Sequence, residues 1–369
     1  MELAERGLRA RGDAVDTAPR GRCRTEIVGI QYLRGVAALF VVVFHISLQL
    51  NLLAGLPTLS TLVSGVDLFF VISGFVMVYS TRMGHKSSSS DFILKRFIRI
   101  APLYWAATLF MITVMIVAPQ LVKSSKLTLS FALASIALVA HEIPATPKLY
   151  GALVAPGWTL ELEMIFYLLF AAGLGLGRRG WPVILVSFAA IALLSTIGLA
   201  WRPAGAVGFY TNPIMLEFCY GMLIGALFLQ PTFHIGEESA LLLFGLGALL
   251  LLYPHPSNDL TLRCFWFGLP ALMIVASALF VPFPEWRFLH LVGDASYSIY
   301  LSHFFVLSAL AQAWKRLHLL HGIGPAALYP VALLTCIAVG WGCWRLVELP
   351  LTRATRRLLF ARHKIASAH

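Results

Sequence analysis

Residues 30–50 form a predominantly apolar run that carries an arginine near its start, Arg34, and an imidazole two-thirds along, His45. A helix needs about 20 mostly apolar residues to cross a bilayer, and this run is long enough. An ionisable side chain inside such a helix costs roughly 2.5–3.5 kcal/mol even on the mildest insertion scale, so it is by default a candidate for function. Arg34 and His45 are eleven residues apart, close to three helical turns and about 16 Å. Both therefore leave one face of the helix, at two depths.

Similar runs recur at about 61–80, 100–118, 158–176, 181–201, 211–229, 239–254, 262–281, 293–313 and 326–346. Of the 369 residues, 59% are hydrophobic and 12% charged, where a soluble domain carries about 25% charged residues. The chain is predicted to be an all-α integral membrane protein, a polytopic bundle of about ten transmembrane helices. Residues 1–26 read as a disordered cytoplasmic tail, 27–350 as one transmembrane domain and 351–369 as a basic cytoplasmic tail. The net charge of +11 points to anionic membrane lipids rather than nucleic acid. The five cysteines, Cys23, Cys219, Cys264, Cys336 and Cys343, show no metal-ligand spacing. Four read as small buried hydrophobes, and no metal is expected.

The apolar segment 127–140 is short for a span, and the cations decide how to count it. If it does not cross, twenty Lys and Arg fall on the inner side and seven on the outer, Arg263 among the seven. If it crosses, Arg178, Arg179 and the basic C-terminal tail all move outside. The positive-inside rule favours both termini in the cytoplasm and a re-entrant or surface element at 127–140.

That topology puts His45, Asp67, Glu163 and Glu217 about 8–10 Å below the outer surface, counting 1.5 Å per residue from each span end. Four titratable groups on four helices at a shared depth are a candidate site. Arg34, Arg96 and Arg99 gather near the inner surface. A carboxylate on one ring nitrogen of His45, from Asp67 or Glu163, would set its tautomer and make the other a general base. Clustered arginines suit a phosphate-rich acyl donor such as coenzyme A. Taken alone, His45 fits a packing histidine equally well. Asp67 and Glu163 also fit interhelical struts, Arg96 and Arg99 interfacial anchors, Ser73 a helix-packing residue, and Trp158 an aromatic belt.

Six segments, in order, carry a resemblance. They are Leu33-Arg34-Gly35 with His45, Gly65-Val66-Asp67-Leu68-Phe69-Phe70-Val71-Ile72-Ser73-Gly74-Phe75, and Arg96-Phe97-Ile98-Arg99-Ile100-Ala101-Pro102. Trp158-Thr159-Leu160-Glu161-Leu162-Glu163, Ser296-Tyr297-Ser298-Ile299-Tyr300-Leu301-Ser302-His303, and Val347-Glu348-Leu349-Pro350 complete the set. Over most of residues 28–355 the chain resembles membrane acyltransferase family 3, and within it the ExoZ-like exopolysaccharide O-acetyltransferases.

The resemblance implies a multi-pass protein of the bacterial inner membrane that moves an acyl group from cytoplasmic acetyl-coenzyme A to a hydroxyl of a surface or exported saccharide or glycolipid. It puts the essential arginine and histidine on Arg34 and His45, and the acidic positions on Asp67 and Glu163. Arg96 and Arg99 fall near the coenzyme; Trp158, Glu217, Tyr300 and His303 are candidates for acceptor contact. Polysaccharide-assembly proteins are possible partners. A proton-coupled glycan transporter and a non-catalytic assembly scaffold are the readings from other classes.

Overall fold

The computed structural model describes residues 27–83, 88–122, 126–176, 181–254, 262–318 and 327–366. The tail at 1–26 and the cations Lys86, Lys123, Arg178 and Arg179 lie outside them. The chain is almost wholly helical. Its helices are α1 (Val28–Ala54), α2 (Gly65–Met83), α3 (Ser89–Val117), α4 (Leu129–Ile136), α5 (Gly157–Gly175), α6 (Trp181–Trp201) and α7 (Gly205–Tyr210). They continue with α8 (Leu216–Phe228), α9 (Glu237–Leu252), α10 (Leu269–Ala278), α11 (Arg287–Asp294), α12 (Ser296–Arg316), α13 (Leu328–Cys343) and α14 (Leu349–Ala366). The one β element among the described residues is a small antiparallel pairing of His141–Glu142 with Tyr150–Gly151.

Seven helical stretches are long and apolar enough to cross a membrane: Val28–Ala54, Ser60–Thr81, Ser89–Val117, Gly157–Gly175, Trp181–Trp201, Gly205–Phe228 and Leu328–Leu359. Helices also stand at the other three predicted positions. Two of these, Glu237–Leu252 and Cys264–Ala278, are shorter, and Ser296–Arg316 is more polar. The element predicted at 127–140 contains α4, eight residues long, which at 1.5 Å per residue is too short to cross.

Local chemistry sets the helix ends. Gly55 closes α1 in the left-handed region at φ 69°, its N–H bonded to Asn51 O, the conformation glycine adopts at least cost. Ser88 and Asp91 form a reciprocal capping box at the start of α3. The predicted span at 211–229 lies within the stretch Gly205–Phe228, where Asn212 Oδ1 accepts from Ile214 N–H and Pro213 opens a short turn between α7 and α8. π-helical turns at Cys264–Gly268 and Trp344–Glu348 precede α10 and α14. The tail expected from residue 351 is part of α14 as far as Ala366.

Helices α2 and α8 touch backbone to backbone. A Cβ on Gly74 would lie 2.1 Å from Phe218 O, and one on Gly221 would lie 1.9 Å from Val71 O. Without a hydrophobic driving force between helices in lipid, such close approach is how membrane helices gain packing energy. Phe218 stacks on Phe166 of α5 at 4.3 Å between ring centres, tying that pair to the next layer. Helices α2 and α5 of this trio, with α1, α3 and α12, form the walls of the site.

Candidate active site

A cavity of about 470 Å3 lies between α1, α2, α3, α5 and α12. Its wall on α2 runs from Val66 to Ser80, about 21 Å of helix at 1.5 Å per residue. It is long and mainly apolar, with polar groups at intervals. Arg34 and Arg99 both line it. Arg34 donates to Gln31 Oε1 at 3.0 Å and to Ser296 Oγ at 3.2 Å, and Gln31 in turn donates to Asp294 at 2.5 Å. The side chain of Arg99 is exposed. Glu348, held at 2.6 Å by Ser298 Oγ, feels the charges of both arginines.

Deeper on the same wall, Glu163 accepts hydrogen bonds from Ser73 and Tyr167. Arg96 does not line the cavity: it donates to Ser80 Oγ at 2.7 Å and lies over the rings of Phe92 and Tyr167. Its position corrects the expectation that Arg96 and Arg99 share one role. They are three residues apart on neighbouring positions of α3, yet the Arg96 guanidinium is half-buried against aromatic rings while Arg99 is exposed and lines the cavity.

At the far end Tyr300 lines the cavity, its hydroxyl 2.8 Å from Thr159 Oγ1 and 3.1 Å from Pro156 O. Behind Tyr300 stand His303 and His45, with ring centres 4.8 Å apart. Among the described residues no carboxylate is hydrogen-bonded to His45, where one was expected. Its Nδ1 lies 2.8 Å from Val41 O, one turn back on its own helix, and His303 Nδ1 lies 2.5 Å from Tyr300 O. A carbonyl only accepts, so both Nδ1 atoms carry the hydrogen and both Nε2 atoms keep a lone pair. His303 Nε2 is buried without a hydrogen-bond partner among the described residues. The helix backbone thus does for the tautomer what a carboxylate was expected to do.

Asp67 and Glu217 belong to a separate cluster. Arg263 grips Asp67 with two parallel hydrogen bonds, Nε to Oδ1 at 2.9 Å and Nη2 to Oδ2 at 2.6 Å, and donates to Val63 O at 3.2 Å. Glu217 is fully buried beside this pair. The four groups expected at one depth therefore divide into three places: His45 with His303, Asp67 and Glu217 with Arg263, and Glu163 on the cavity wall. A shared depth does not fix which way each helix is turned about its axis. Trp158 packs on Phe70 at 6.4 Å between ring centres and does not line the cavity.

Arg263 corrects a second expectation, since it is a buried ion-pair partner and not a loop cation. The signal was available: Asp67 inside a span needs a cation, and Arg263 opens an apolar run with no other cation near it in sequence. Arg34 and His45 do share a face, both meeting α12, the first at Ser296 and the second at His303.

The sequence profile of a family described as an acyltransferase domain, Acyl_transf_3, matches residues 27–345. The chain is 36% identical over 311 residues to the exopolysaccharide production protein ExoZ of Rhizobium meliloti (strain 1021), covering 79% of this chain and 90% of that protein. It is 31% identical over 177 residues to protein 2 in the picA locus of Rhizobium radiobacter, covering 44% of this chain and 90% of that protein. No solved structure matches it.

Proposed function

The chain belongs to the Acyl_transf_3 family of acyltransferases, and from that premise we propose that it is a multi-pass inner-membrane O-acetyltransferase acting on an exported or surface polysaccharide. The acyl donor is acetyl-coenzyme A, entering from the cytoplasm. Arg34 and Arg99 receive its phosphates, and the apolar cavity takes its linear arm. The acceptor is a saccharide hydroxyl on the outer side, within reach of the histidine pair. Some ten crossings with both termini in the cytoplasm follow the positive-inside bias and put the arginines on the donor's side.

His45 acts as the general base. Its Nε2 takes the hydroxyl proton while the sugar oxygen attacks the thioester carbonyl; the carbon–sulfur bond breaks, and coenzyme A leaves as the thiol after taking that proton back from Nε2. Positioned bases of this kind contribute about 10²–10⁴-fold. The observation that supports the role is the Val41 carbonyl, which holds the Nδ1 hydrogen and leaves Nε2 open.

The experiment is mass spectrometry of surface polysaccharides from cells with the protein, without it, and with His45→Ala at matched protein level. An acetyl increment that needs the protein and vanishes in His45→Ala supports the reading. An increment retained in full by His45→Ala removes the base. A transporter would change where the glycan lies and leave its mass unaltered.

A further inference from the structure

The donor cavity and the histidine pair do not meet. Phe69 and Tyr300 line the cavity, and neither His45 nor His303 does. The rings of Phe69 and Tyr300 stand edge to face at 5.7 Å, and Tyr300 lies 6.0 Å from His303. Tyr300 is anchored through its hydroxyl to Thr159 and Pro156. Phe69 has no such anchor. It packs at the junction of three hydrophobic clusters and is only half-buried.

We infer that Phe69 is the acyl-length determinant of this transferase: with Tyr300 it forms a one-ring partition, and the acyl group of the donor ends against the Phe69 face of that partition. This rests on the proposed donor site. A linear arm entering between Arg34 and Arg99 runs along α2 with its acyl end toward Val66 and Phe69. The partition leaves no room for a long chain beyond the thioester. A short acyl group reaches the histidines when the Phe69 ring swings aside; a longer one meets the ring before its carbonyl is in place. Tyr300, held by two hydrogen bonds, is the fixed post, and Phe69 is the movable half, because nothing but packing holds it. The substrate class is therefore a short-chain acyl thioester, and the choice among acyl groups is made by sterics at one side chain. An added methylene in a fixed apolar pocket changes selectivity by about 10–200-fold.

The test uses purified full-length protein in liposomes, with acetyl-coenzyme A and hexanoyl-coenzyme A as donors, surface polysaccharide extracted from cells lacking the protein as acceptor, and free-thiol release as the readout. Phe69→Ala raises the hexanoyl-to-acetyl ratio of kcat/KM at least tenfold, and Phe69→Trp lowers it. A ratio unchanged within twofold in both variants overturns the inference. Should either variant release no thiol, competition of hexanoyl- against radiolabelled acetyl-coenzyme A for binding reads the same preference, and an unchanged competition ratio overturns it equally. A wild-type protein that neither binds acetyl-coenzyme A nor releases thiol from it refutes the donor reading instead, which separates the two failures.

Discussion

Arg263 and Asp67 are 196 residues apart in the chain and meet through two parallel hydrogen bonds of 2.9 and 2.6 Å, both side chains buried. The pair joins the start of α2 to the π-helical turn before α10, and α2 forms the longest wall of the cavity. Breaking one partner of a buried ion pair costs about 3–5 kcal/mol, because the survivor is left uncompensated, while replacing both with apolar groups is often neutral. Arg263→Met should therefore lower the thermal unfolding midpoint in detergent sharply. Asp67→Leu combined with Arg263→Met should recover most of the loss. A double variant as unstable as the sum of the singles would show that the two do not act as a pair.

Glu217 gives an internal contrast. It shares the cluster but accepts no hydrogen bond from Arg263. Glu217→Gln should cost much less than Asp67→Asn, since an amide at position 67 replaces one of two charge-assisted acceptors, each worth about 1.5–3 kcal/mol. Equal unfolding midpoints for the two variants would contradict this ordering.

Backbone contact between α2 and α8 makes Gly221 intolerant. A methyl there would stand 1.9 Å from Val71 O, and overpacking of this kind costs about 1–3 kcal/mol or more. Gly245 in α9 has nothing within 4 Å of the equivalent position, so Gly245→Ala should be neutral or stabilising by about 0.5–1 kcal/mol. The yield and melting of the two alanine variants, measured side by side, check the prediction.

For the donor, Arg99→Ala should raise KM for acetyl-coenzyme A about tenfold with kcat little changed, the signature of lost ground-state binding. Arg34→Lys should not preserve function, because a lysine cannot reproduce the fork that engages Gln31 and Ser296 together. Thiol-release kinetics at several donor concentrations separate these outcomes. An Arg99→Ala enzyme with unaltered KM would place the phosphates elsewhere.

His303 stands 4.8 Å from His45 between ring centres, with an unpartnered Nε2. His303→Gln should reduce kcat by 10-fold or more while the unfolding midpoint stays close to wild type, since the amide fills the same space. Unchanged kcat, or a collapse in stability with kcat per folded protein intact, would make His303 a packing residue.

Much of this was legible in the chain itself. Apolar run lengths, cation placement and the spacing of Arg34 and His45 were enough to read a helical membrane protein with those two side chains on one helix face, because hydrophobic thickness and helical pitch are fixed by physics that every residue obeys locally. The partners were decided only by tertiary structure. That His45 leans on Val41 and His303 and not on Asp67, that Asp67 is held by Arg263, and that Arg96 turns under aromatic rings while Arg99 reaches the opening all depend on how each helix is rotated about its axis. Depth follows from counting residues along one helix. Azimuth follows from packing against others distant in sequence, and in this protein the chemistry of the site lies in the azimuth.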